Sequence, residues 1–140
     1  MTAFALDYDL TRVAAFMRGP LPGLALSEGM RAIGLLRGGR LVAGVIFEGY
    51  NGCNVWMHVA AEPGARWLNR VYLRACFTYP FVVCGVERVS GYVDASNAAS
   101  RRFCARLGFR EEARLTGAAP DGGDVVIYAM WRPQCRWLGV

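Results

Sequence analysis

The chain contains no lysine: all 16 of its basic residues are arginine. It therefore offers no lysine for self-acylation, and its positive surface consists of forked, permanently charged guanidiniums suited to phosphate. A single histidine, His58, excludes a histidine-rich zinc site, and no metal site is expected. The five cysteines are odd in number and show no C-x-x-C spacing. That pattern predicts reduced thiols and a cytoplasmic setting. No apolar run reaches the ~18 residues needed to span a bilayer, so no membrane partner is expected. The N-terminus lacks a basic region and a cleavage site and does not read as a signal peptide. No zinc-finger spacing, RNA-recognition signature or long basic run accompanies the net charge of +5. An anionic small ligand accounts for that charge better than nucleic acid does.

What is present is a folded chain. Its 140 residues are 54% hydrophobic and 12% aromatic, which fits one domain, residues 1–140, with its own core. Residues 7–17 read as a helix: Leu10, Val13, Ala14 and Met17 recur at helical spacing behind a cap from Asp7 or Asp9. Residues 19–23, Gly-Pro-Leu-Pro-Gly, end it as a rigid loop. Strands are predicted over 32–37, 41–50 and 54–61, joined by Gly38-Gly39 and Asn51-Gly52 hairpin turns. Gly44 marks a bulge or a close approach within the second. A long helix follows over residues 66–83, with Leu68, Val71, Tyr72, Ala75, Cys76 and Tyr79 as its buried stripe. Arg70 and Arg74 fall on its solvated face, and Pro80 kinks or ends it.

The remainder alternates strand and helix. Residues 87–93 are a strand. Asn97 then caps a helix that Gly108 stops, since glycine adopts the left-handed conformation cheaply. Strands over 109–116 and 125–131 close the chain around a glycine-rich loop, 117–123. The pattern is an α+β fold on a sheet of mixed, mostly antiparallel direction with flanking helices.

The ordered set Asn97-x-x-Ser100, Phe103, Arg106, Leu107-Gly108-Phe109 and Glu111-Glu112 resembles the C-terminal half of a GNAT-superfamily acyltransferase. It is most similar to the branch that holds the ribosomal-protein N-terminal acetyltransferases. The likeness spans roughly residues 55–131 and is sharpest over 88–112.

The resemblance implies a splayed strand pair, here 55–61 and 87–93, that admits the pantetheine arm of acetyl-CoA. The edge formed by Val59, Ala60 and Ala61 would pair with the pantetheine amides, and one amide there would polarise the thioester carbonyl. The pyrophosphate would rest on the loop that opens the long helix, where the family pattern is Gln/Arg-x-x-Gly-x-Gly/Ala. This chain reads Ala61-Glu62-Pro63-Gly64-Ala65-Arg66, then Trp67-Leu68-Asn69. Gly64 matches, but Ala61 and Arg66 depart from the pattern. Arg66 either adds a guanidinium to a phosphate or fills the space a phosphate needs. Asn97 and Arg101 complete the implied cofactor contacts.

Many members carry a tyrosine at the position of Cys104, where it protonates the leaving thiolate. His58, Glu62 and Glu48 are candidate general bases toward an amine. The implied activity is direct acetyl transfer to a primary amine on a small molecule or a protein; a homodimer is a candidate assembly. Three other classes stay open: an acyl-CoA-binding or interaction module without turnover, an arginine-rich nucleic-acid binder, and a cysteine hydrolase using His58.

Overall fold

The computed structural model describes residues 3–63 and 69–138. Its strands are β1 (Phe4–Asp7), β2 (Arg31–Arg37), β3 (Arg40–Glu48), β4 (Asn54–Ala61), β5 (Arg88–Asp94), β6 (Arg110–Leu115) and β7 (Val125–Trp131). Its helices are α1 (Leu10–Met17), α2 (Arg70–Thr78) and α3 (Ala98–Leu107). The strands form one sheet in the order β1-β2-β3-β4-β5-β7-β6. Every neighbouring pair is antiparallel except β4 with β5, which is parallel.

Local chemistry sets the boundaries. Asp9 caps α1 by accepting from the Arg12 amide at 2.9 Å. Asp7, expected to open the helix, instead ends β1. Asp7 binds the Asp9 amide and both the Nε and Nη2 of Arg12, each at 2.9–3.0 Å, and so pins the turn between β1 and α1. Asn69 caps α2 by accepting from the amides of Val71 and Tyr72 at 2.8 and 3.1 Å. Pro80 lacks an amide, and the helix does not break there. It widens into a π-helical turn over Tyr79–Val83, closed by the Cys84 amide on the Tyr79 carbonyl at 2.9 Å. Gly108 takes φ 108° at the end of α3. The Phe109 amide then reaches back to the Cys104 carbonyl and the Gly108 amide to Ala105, which is the Schellman arrangement.

Two cores flank the sheet. On one face α1 packs Val13 and Met17 onto the strands. Gly44 permits this approach: a Cβ there would lie 2.9 Å from both Met17 Cγ and Val13 Cγ1. The expected feature at Gly44 is thus a close approach, and the bulge falls two residues earlier on the same strand, where Val42 is the extra residue opposite the Leu35–Leu36 step of β2. On the other face α2 and α3 pack against Phe47, Val89 and Met130. The buried face of α2 is Tyr72, Leu73, Cys76 and Phe77, while Val71 is 57% exposed. The stripe is therefore rotated from the predicted one, because the Tyr72 hydroxyl turns inward to donate to the Ile33 carbonyl at 2.8 Å.

Candidate active site

β4 and β5 pair only through Asn54–Arg88, Val55–Val89 and Trp56–Ser90. Beyond that point β5 stays with β7 as far as Asp94–Val125, while β4 stays with β3 as far as Ala61–Ala43. The two parallel strands therefore part, and a cleft of about 420 Å³ opens where they separate.

Backbone alternation shows which groups face the opening. The Glu62 amide donates to the Val42 carbonyl at 2.9 Å. In an antiparallel ladder this assigns the backbone groups of Ala60 and His58 to β3, and those of Val59 and Ala61 to the side that β5 has left. The open edge expected at residues 59–61 is thus carried by Val59 and Ala61. Ala60 is buried against α1 instead.

The side chains divide between the two faces of the sheet. On the α1 face lies buried His58, whose Nε2 shares a short hydrogen bond with Glu48 Oε2. Tyr92 of β5 stands edge-on to the His58 ring, with centroids 5.2 Å apart at 83°, and also meets Trp56. Burial raises the Tyr92 hydroxyl pKa, and the charges of Glu48 and Asp94 raise it further. Tyr92 is therefore a neutral phenol at physiological pH.

On the opposite face α3 presents Asn97, Phe103 and Cys104 to the cleft. Burial pushes the Cys104 thiol up to about 11, so it is protonated at neutral pH.

The predicted residues distribute unevenly over this geometry. His58, Val59, Asn97 and Cys104 line the cleft, and Glu48 reaches it through His58. Glu62 is held in an ion pair with Arg40 and does not line the cleft. Asn69 is occupied in capping α2. Arg101 lies off the cleft wall and donates to the Ala95 carbonyl at 3.4 Å, while its buried Nε has no partner. Gly64, Ala65, Arg66, Trp67 and Leu68 lie outside the described residues.

Other cleft residues went unremarked in the sequence. Tyr92 and Asp94 line the α1 side of the cleft. Period-two alternation from Ser90 would place both on the face of His58, once β5 is known to lie beside β4. A second cavity of about 290 Å³ shares Leu107 with the first and is lined by Arg70, Arg106 and Arg136. None of the three forms an ion pair among the described residues. Arg136 lies 4.5 Å from the Trp137 ring centroid and donates to the Arg106 carbonyl. Trp137 Nε1 donates to the Leu107 carbonyl at 2.8 Å. The C-terminal segment thereby closes the last turn of α3 and brings Arg136 to the cavity that Arg70 also lines; Arg70 is exposed, as expected.

No family model and no curated protein sequence matches this chain. Solved structures do match. A mutant of the spermidine N-acetyltransferase SpeG from Vibrio cholerae superposes with a TM-score of 0.76 at 12% identity, over 97% of this chain and 96% of that one. The dodecameric structure of the same Vibrio cholerae enzyme in an intermediate state gives a TM-score of 0.72 at 13% identity, over 92% and 94%.

This chain has the GNAT acetyltransferase fold. At such identities the likeness is one of fold. The GNAT sheet nonetheless accounts for the parting of β4 from β5 as an architectural feature rather than a local defect.

Proposed function

We propose that this chain is an N-acetyltransferase that moves an acetyl group from acetyl-CoA directly to a primary amine. The observation that carries the reading is the parting of β4 from β5 after Trp56 and Ser90, with the His58–Glu48 pair on one side and Cys104 on the other. Sharing of the GNAT sheet with N-acetyltransferases supports it.

The residues present suit acetyl-CoA. Val59 and Ala61 leave a strand edge open, which pairs with secondary amides as an added strand would. Three arginines without carboxylate partners among the described residues line the adjoining cavity and suit the phosphates of the nucleotide. Residues 64–68 and Asn97 complete the proposed contacts. Acetyl-CoA supplies an acetyl group activated as a thioester.

The chain's own residues supply a proton acceptor, a polar backbone edge and a dry wall. With Nε2–H donated to Glu48, the His58 Nδ1 lone pair takes the proton of the incoming ammonium, and Glu48 stabilises the imidazolium that results. A backbone amide of the β4 edge polarises the acyl carbonyl. Cys104, held as a thiol, packs near the departing sulfur and is not a nucleophile. A binding-only module would need no buried histidine–carboxylate pair.

The acceptor is a small-molecule or protein amine. The 97–112 segment, with its likeness to the ribosomal-protein branch, keeps peptide N-termini among the candidates. Five free cysteines accord with a reducing cytoplasmic setting. The dodecamer of SpeG makes self-association, at its smallest a homodimer, part of this proposal, to be checked by sedimentation. Thermal unfolding with and without acetyl-CoA tests the cofactor claim. Ligand at ~100 times its dissociation constant should add roughly 2.7 kcal/mol, and an unchanged transition would contradict the reading.

A further inference from the structure

We infer that the acceptor is a monoamine with an apolar body, and that Asp94 receives its ammonium group; this rests on the N-acetyltransferase reading. Asp94 stands two residues beyond Tyr92 on β5, so its side chain shares the face that carries Tyr92 and His58. It is the one carboxylate among the described residues that line the cleft. Its charge reaches the Tyr92 hydroxyl, whose pKa it helps to raise. Its carboxylate makes no hydrogen bond or ion pair within the described residues. The neighbouring acids are engaged: Glu48 by His58, Glu62 by Arg40, and Asp121 by Ser96 and the Gly123 amide.

Among the described residues no other carboxylate or guanidinium lines the cleft, and its apolar surface includes Pro20, Leu21, Pro22 and Leu24 of the loop after α1 and Ala118 and Pro120 of the β6–β7 loop. A cation entering here finds one unengaged carboxylate among the described lining residues, with Glu48 nearby already bonded to His58, and apolar surface around it. A polyamine carries several ammonium groups, and all but one would lose water against those walls without a carboxylate. The net charge of +5 adds a long-range penalty for polycations. A single amine on an aromatic or aliphatic body satisfies both features. Asp94 holds the ammonium, and its proton passes to His58. The freed nitrogen lone pair forms the N–C bond as the C–S bond breaks; the sulfur leaves with the bonding electrons and takes up the second proton, which the acylated nitrogen sheds, so the products are a neutral amide and a free thiol.

The test uses the full chain with acetyl-CoA and three acceptors: 2-phenylethylamine, a short peptide with a free N-terminal residue of apolar side chain, and the polyamine spermine. The monoamines should exceed spermine in kcat/KM by at least about tenfold. Asp94→Asn should raise KM for 2-phenylethylamine by about 10–100-fold, the worth of one hydrogen-bonded charge, with kcat nearly kept. Asp94→Glu should recover part of that loss. Thermal unfolding of each variant guards against misfolding as the cause. Preference for spermine, or a KM unmoved by Asp94→Asn, overturns the inference and leaves the acetyltransferase reading standing. No acetylation of any amine, together with no thermal response to acetyl-CoA, overturns both.

Discussion

His58 of β4 and Glu48 of β3 are hydrogen-bonded on a diagonal of the sheet. The residue opposite His58 in the ladder is Ile46, and the residue opposite Glu48 is Trp56. A diagonal contact of this kind lies within reach of long side chains on one face. It commits Nε2 to Glu48 and leaves Nδ1 as the ring nitrogen that can take a proton. His58→Gln should therefore lower kcat by about 10²–10⁴-fold, the usual worth of a positioned base, with little change in acetyl-CoA affinity. Glu48→Gln should cost less, because the imidazole keeps a hydrogen-bond partner. Steady-state kinetics on both variants decide this, and equal activity in His58→Gln would remove the base.

Cys104 gives a second prediction. Burial holds its thiol at about 11, so the nucleophilic thiolate is scarce until pH approaches that value. Cys104→Ala should retain most of the turnover. Intact-mass measurement after incubation with acetyl-CoA alone should show no added acetyl group on this residue. In a time course of alkylation at pH 8, exposed Cys53 should be labelled before Cys104. A stoichiometric acetyl adduct on Cys104, lost with all activity in the alanine variant, would replace direct transfer with an acyl-enzyme.

Gly91 tests the cleft itself. A Cβ there would lie 3.6 Å from the Met57 carbonyl oxygen, which is ordinary contact. Gly91→Ala should thus be neutral, or stabilising by at most about 1 kcal/mol. Gly91→Leu fills the space where β4 and β5 part, and should abolish the thermal response to acetyl-CoA while the ligand-free protein still unfolds cooperatively. An undiminished response in the leucine variant would place the cofactor elsewhere.

Asp7 provides a prediction on pH. The bidentate bond from Arg12 holds its carboxyl below the usual aspartate range. A lowered folded-state pKa means stability that is present above the unfolded value of ~3.9 and disappears as pH falls through the folded one. Asp7→Asn should cost about 1–2 kcal/mol at pH 7, charged hydrogen bonds being discounted for the exposure of Arg12. Urea unfolding at pH 7 and again near pH 2 should show that cost and then its loss. A cost independent of pH would assign it to packing rather than charge.

The elements that short-range chemistry dictates were legible in the sequence. β4 and β7 lie between turn residues and fall where alternation places them. The caps at Asn97 and Gly108 are each set by one side chain or its absence. β1 was not legible, because an edge strand of four residues, mostly exposed, carries little alternation. The face of α2 was misread because its orientation depends on a hydrogen bond from Tyr72 to Ile33, 39 residues away.

The site divides in the same way. His58, Glu48, Asn97 and Cys104 could be named from the chain as candidates, but their grouping about one cleft could not. The parallel register of β4 on β5 decides which side of β5 faces His58, and so hides Tyr92 and Asp94 from a linear reading. The meeting of Arg70 with Arg106 and Arg136 likewise depends on where the C-terminal segment returns to α3.

The most direct measurement is amine-dependent thiol release from acetyl-CoA, with the acetylated amine quantified in the same reaction. The account predicts one free thiol for each acetylated amine, negligible release without amine, and loss of both in His58→Gln. Thiol release at the same rate without amine would make the protein a thioester hydrolase, and binding of acetyl-CoA with no release under any amine would make it a binding module.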